Sequence, residues 1–348
     1  MNTKSETIER PVPLLDFLPA DDAPVQPARP RKALKRIGMT IAGLAALALS
    51  GALYEGIASQ ADAAADKPAG RLIDVGGHQL YLDCAGAGGP TIVLDAGLGG
   101  SSLDWLLVRD KLATSSRVCT FDRAGMGHSD PGPLPRSPGR NAEELHRLLE
   151  AGGVPGPYIL VGHSLAGKNA RMFAAAYPDD VAGMVLVDAR SERIDMAMSR
   201  EQHDGMTSAI RAQSTLYAVV RRLGLMRLFG AAVFGSPLIS WDKATQLVLR
   251  ESDPNALVAT VDEGVARSDD DAVLAAATLG DLPLVVIAAS DSMDNNPGWP
   301  EAQEGMAALS TNGRLAVAEP SSHAIHIDQP NVVIDATLSM LADIRAHH

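Results

Sequence analysis

The sequence predicts an α/β domain built on a mostly parallel sheet. Three observations carry this: short apolar runs alternate with helical stretches, an N-terminal β-hairpin precedes them, and a long helical insertion follows the sixth run. The 348 residues allow one large domain plus extra segments. Hydrophobic residues make up 46% and charged residues 21%, enough apolar surface for a core. The formal charge of -12 and a pI near 5.2 argue against nucleic acid as a partner, since that needs clustered Lys and Arg.

Taken in order, residues 1–36 are rich in Pro, Ala and Asp, without an apolar period, and are expected to form a disordered cytoplasmic tail. They end in a basic cluster, Arg29, Arg31, Lys32, Lys35 and Arg36. Ile37 to Tyr54 then carries no charge. At about 1.5 Å per residue this run spans roughly 27 Å, close to a hydrocarbon core of about 30 Å. A single membrane anchor is the preferred reading. A cleaved signal, suggested by the small residues Ala61 to Ala65, and a buried soluble helix are the alternatives. The preceding positive charge keeps the N-terminus cytoplasmic, with the domain outside the membrane; cleavage would leave it secreted or periplasmic. Residues 55–70 read as a linker.

From Arg71 to His348 the domain begins with two runs, Arg71 to Val75 and His78 to Cys84, flanking Gly76-Gly77, the turn chemistry of a hairpin. Thr91 to Leu94, Arg117 to Phe121, Tyr158 to Val161, Met184 to Val187, Leu284 to Ala288 and Leu315 to Ala318 are too short for helices and read as buried strands. Asn141 to Ala151 and Lys168 to Tyr177 read as helices between them. Residues 190–281 read as a helical cap. Its Met196, Met198, Met206 and Met226 suit ordinary helix packing better than a dedicated pocket.

Tyr158 to Gly167 places Ser164 directly after a buried strand and directly before a helix. A serine hydroxyl needs a base to become a nucleophile, and a sharp strand-to-helix turn exposes it to one. Neighbours two positions away must be small, as Gly162 and Ala166 are. The string is G-x-S-x-A, with Ala166 where Gly is usual. With this elbow, the blocks Asp95 to Ser102, Phe121 to Ser129 and Ser322-His323 occur in the order expected of the α/β-hydrolase superfamily. The chain resembles that superfamily from Arg71 onward, most closely its membrane-anchored or exported bacterial hydrolases.

The resemblance implies an eight-stranded, mostly parallel sheet flanked by helices, with the cap inserted after the sixth strand. It makes Ser164 the nucleophile and His323 the base, with His326 as the nearest rival; His163 is expected to pack beside the strand. Asp188, ending the sixth strand, is the preferred acid, and Asp291, after the next strand, is the alternative. The N–H groups of Leu98 and Leu165 are the expected oxyanion hole. Cys84 and Cys119 would lie on neighbouring strands and form a disulfide. Asp122 and Arg123 read as a structural ion pair or turn cap.

The implied activity is hydrolysis of small, apolar carboxylic esters or lactones through an acyl-enzyme, without cofactor or metal. A peptidase or amidase, or a catalytically silent binding protein, are the other readings. Serine rather than aspartate at the elbow disfavours dehalogenase and epoxide hydrolase chemistry.

Overall fold

The computed structural model describes residues 30–234, 236–266 and 269–347. The expected disordered tail lies largely outside them. The chain divides into Met1–Ala48 and Leu49–His348.

The N-terminal helix runs continuously over Pro30–Ala65, well past the expected end of the apolar run. The linker expected at 55–70 is therefore mostly helix. Ala, the best helix former, dominates its last turns, and Ser59 Oγ donates to Glu55 Oε1 one turn back. The most apolar stretch of this helix is exposed, with a mean hydropathy of 1.7, whereas Glu55 further along is buried.

The second unit holds an eight-stranded sheet in the order β1-β2-β4-β3-β5-β6-β7-β8. The strands are β1 Arg71–Asp74, β2 Gln79–Ala85, β3 Thr91–Asp95, β4 Val118–Asp122, β5 Tyr158–His163, β6 Val181–Val187, β7 Leu284–Ala289 and β8 Gly313–Ala318. Pairings β1–β2 and β2–β4 are antiparallel and the rest parallel. In the first hairpin Asp74 Oδ1 accepts from Gly76 and Gly77 N–H, and both glycines take positive φ, which a Cβ would resist.

Period-2 alternation splits the strand residues between two cores. Leu160, Met184, Leu186 and Val286 join Leu145, Leu148 and Phe173 from helices Pro138–Ala151 and Ala166–Ala176. Ile159, Val161, Val185, Val187 and Ile287 join Trp105 and Val333, Met340 and Leu341 of helix Pro330–His347. The central strands are covered on both faces, which is why they read as continuous apolar runs.

Among the described residues, six helices between Glu192 and Ala276 occupy the stretch expected to form the cap. Met226 is buried and Met196 exposed. Cys84 and Cys119 face each other across β2 and β4 and are joined in a disulfide.

Candidate active site

The site forms where β5, β6 and β8 end. Ser164 occupies the turn between β5 and helix Ala166–Ala176 with φ of +53°, a left-handed conformation that a non-glycine residue adopts only when the surroundings enforce it. Its N–H donates to Val187 O and its carbonyl accepts from Arg190 N–H, so the backbone after β6 fixes both sides of the elbow. The small neighbours have a steric basis. A Cβ on Gly162 would lie 2.7 Å from Ala166 O, and one on Gly167 would lie 2.4 Å from Ala189 Cβ. Ala166 is fully buried, and its single methyl is accommodated.

Ser164 Oγ lies 2.8 Å from His323 Nε2, and His323 Nδ1 lies 2.6 Å from Asp188 Oδ2. A carboxylate accepts, so Nδ1–H donates to Asp188 and Nε2 is left to accept from the serine hydroxyl. Asp188 also has positive φ, +41°. It is fully buried, and each oxygen has two donors: Ala289 N–H and Trp299 Nε1 on Oδ1, Ser292 Oγ and His323 on Oδ2. Such saturation is what a buried carboxylate needs to keep one orientation.

Asp291 is placed differently. It stands in the first turn of helix Ser290–Asn295, where its N–H donates to Ser321 O and its carbonyl accepts from Asn295; its carboxylate is not hydrogen-bonded to His323. Asp188 is thus the carboxylate that meets the histidine. Ser292 and Trp299 are part of this arrangement and carried no motif in the sequence.

His163 and His326 form a neutral support beside His323. His163 Nε2–H donates to the His323 carbonyl, and the rings of His163 and His326 are 4.4 Å apart. Burial drives the pKa of His163 well below its ordinary value and that of His326 down to about 3. Neither has a contact with Ser164 Oγ.

The loop after β3 touches the elbow. A Cβ on Gly97 would come within 2.7 Å of His163 Nδ1 and 3.3 Å of Ser164 Cβ, so only glycine permits this approach. Among the described residues the N–H groups of Leu98 and Leu165 have no hydrogen-bond partner. They are therefore free to receive a developing negative charge.

Asp122 and Arg123 do not pair with each other. Asp122 caps turns, accepting from Ser102 and His128 N–H. Arg123 instead reaches Asp95, Glu263 and the carbonyls of Ala96 and Gly97.

Two cavities flank the loop after β3 and the elbow. One of about 180 Å³ is bordered by Leu98, Gly99, Ile210, Tyr217, Leu257 and Thr260. A smaller, polar one of about 30 Å³ is bordered by Leu165, Lys168, Arg190, Asp195 and Met206. Among the described residues no cluster of three or more His, Cys, Asp or Glu side chains is arranged to hold a metal ion.

Known proteins share this architecture. YqjL of Bacillus subtilis is 25% identical over 253 residues, covering 71% of this chain and 82% of YqjL. Of the first two curated relatives it matches, the chain spans only 18% and 40% of the length. Among solved structures, a thermophilic esterase from Thermogutta terrifontis superimposes with a TM-score of 0.60 at 23% identity, covering 79% of this chain and 98% of the esterase. The epoxide hydrolase CorEH gives 0.61 at 20%, covering 79% and 99%. At these identities the likeness is one of fold. The sequence pattern of the Alpha/beta hydrolase family matches residues 92–336, and the chain belongs to that family.

Proposed function

We propose that the protein hydrolyses small carboxylic esters or lactones through an acyl-enzyme on Ser164. The observation that carries this reading is the hydrogen-bonded relay from Ser164 through His323 to Asp188, with the free N–H groups of Leu98 and Leu165 beside it. His323 takes the hydroxyl proton as Ser164 Oγ bonds to the substrate carbonyl carbon. The carbonyl π electrons move onto oxygen, where the two N–H groups stabilise the charge. His323, now an imidazolium held by Asp188, returns the proton to the departing alkoxide, leaving an acyl-serine. Water, deprotonated by the same imidazole, attacks the acyl carbon and releases the acid, restoring Ser164. No step calls for a cofactor. The larger cavity beside Leu98, which Ile210 and Leu257 border together with the polar Gln213, Ser214 and Glu251, offers room for part of such a substrate.

The test is labelling by a fluorophosphonate followed by turnover of p-nitrophenyl esters of increasing acyl length. Labelling lost in Ser164→Ala, with ester turnover in the parent, supports the reading; a parent that neither labels nor turns over any ester overturns it.

The N-terminal helix is proposed to anchor the protein in a membrane, with the catalytic domain on the non-cytoplasmic side. Its exposed apolar length, the basic residues ahead of it and the disulfide, which suits an oxidising compartment, support this. Flotation with vesicles and protease protection in spheroplasts test it. Release of a shortened soluble chain would favour signal cleavage instead.

A further inference from the structure

We infer that Arg123, held by Glu263 of the cap, sets the direction of the Leu98 N–H, so that a cap helix positions part of the oxyanion hole. The inference rests on the serine-hydrolase reading above. Arg123 is buried at the end of β4, and all five of its N–H donors are engaged. Nη1 donates to Asp95 Oδ1 and Ala96 O, each at 2.6 Å. Nη2 donates to Gly97 O at 2.7 Å and to Glu263 Oε2 at 2.9 Å, while Nε donates to Glu263 Oε1 at 2.7 Å.

The consequence follows from peptide geometry. The Gly97 carbonyl and the Leu98 N–H belong to one planar trans peptide, so they point in opposite directions. A guanidinium that grips the carbonyl from one side aims the N–H to the other. The Ala96 carbonyl is gripped too, so two consecutive peptide planes are fixed. A charged donor on a carbonyl also polarises its amide, making the N–H a stronger donor.

The guanidinium is itself oriented from the cap. Glu263 lies on helix Pro254–Val265 and engages Arg123 through both carboxylate oxygens. Asn141 donates to Glu263 at 3.3 Å, and Asn169 donates to Asp95 at 3.0 Å, bracing both acidic partners. The same cap helix supports the next residue of the loop. Gly99 has φ of +75°, and a Cβ there would come 2.9 Å from Thr260 Oγ1. Part of the cap is thus an integral wall of the oxyanion loop. Lysine in place of Arg123 could not reach two carbonyls and two carboxylates at once.

Arg123 is a positioning residue and touches no substrate. The experiment compares the parent with Glu263→Gln and Arg123→Lys, using p-nitrophenyl butyrate and inhibition by phenylboronic acid, whose serine adduct places an oxygen in the oxyanion hole. Rates are expressed per active site titrated with the fluorophosphonate. The expected result is a fall in kcat of about tenfold or more, within the ~10²–10³ that a whole oxyanion donor is worth, with KM little changed. Boronate affinity should weaken in parallel. Unchanged kcat per titrated site in Glu263→Gln overturns the inference, as does a loss of activity explained wholly by fewer titratable sites, because either outcome leaves the network a structural one. A parent that fails to hydrolyse esters or label at all overturns the underlying reading instead.

Discussion

At the scale of single residues, the relay assigns unequal roles to two aspartates that look alike in sequence. Asp188 has both oxygens committed, one of them to His323, while the Asp291 backbone serves a helix start. Asp188→Asn removes the charge and presents Nδ1 with an amide, so kcat should fall by about 10³–10⁴, as for the orienting carboxylate of serine proteases. Asp291→Ala should keep kcat within about threefold, since a surface change away from such features costs little. Steady-state turnover of one ester by both variants decides; near-parent activity in Asp188→Asn would mean that this carboxylate is not the orienting group. Trp299 offers a subtler case. Its indole N–H is one of four donors to Asp188, so Trp299→Phe should cost about 1 kcal/mol of orientation, roughly fivefold in kcat.

At the scale of elements, the strands were legible because burial on both faces makes them apolar throughout, as in Leu284–Ala289. The elbow was legible because a sharp turn demands small neighbours at Gly162 and Ala166. What escaped was long-range partnership. Nothing local marks Glu263 as the partner of Arg123, 140 residues away, or Trp299 as the partner of Asp188, 111 residues away. Such pairs meet only after the sheet closes and the cap folds over it. The uncharged run from Ile37 to Tyr54 marks the apolar part of the N-terminal helix, while the Ala-rich sequence after Glu55 carries the helix on to Ala65. The element with the clearest measurable consequence is the β2–β4 pair. The disulfide between Cys84 and Cys119 closes a loop with a sequence separation of 35. By the chain-entropy relation it should add about 3–4 kcal/mol. The double variant Cys84→Ser, Cys119→Ser should therefore melt several degrees lower with kcat retained, as read by calorimetry and ester turnover.

For the whole molecule, the buried histidines predict how stability follows pH. His326 has its pKa lowered from 6.5 to about 3, and His163 is lowered well below 6.5, both through burial. The unfolded chain binds these protons more readily than the folded one. Their contribution is thus fully present above about pH 6.5 and is lost progressively as pH falls, for His326 down towards 3, at up to about 1.4 kcal/mol per pH unit for each histidine. Denaturant titrations at pH 7 and pH 4.5 should show the loss, and His326→Gln should make the slope shallower. An equally steep slope in that variant would assign the acid sensitivity to other groups.

The last turns of the N-terminal helix bear on where this protein can be cut. Arg227 donates to Glu55 and Asp62, and Arg250 and His128 meet Asp66. Three acidic residues that precede the first strand thus neutralise basic side chains of the cap and of the turn after β4. A soluble form begun at Arg71, where the recognisable domain starts, would strip those cations of their counterparts. One begun at Leu49 would keep them. The shorter form should melt at a lower temperature, and added salt, by screening the exposed cations from one another, should narrow the gap. The outer limit of the enzyme is thus set by charge balance, some twenty residues before its sheet begins.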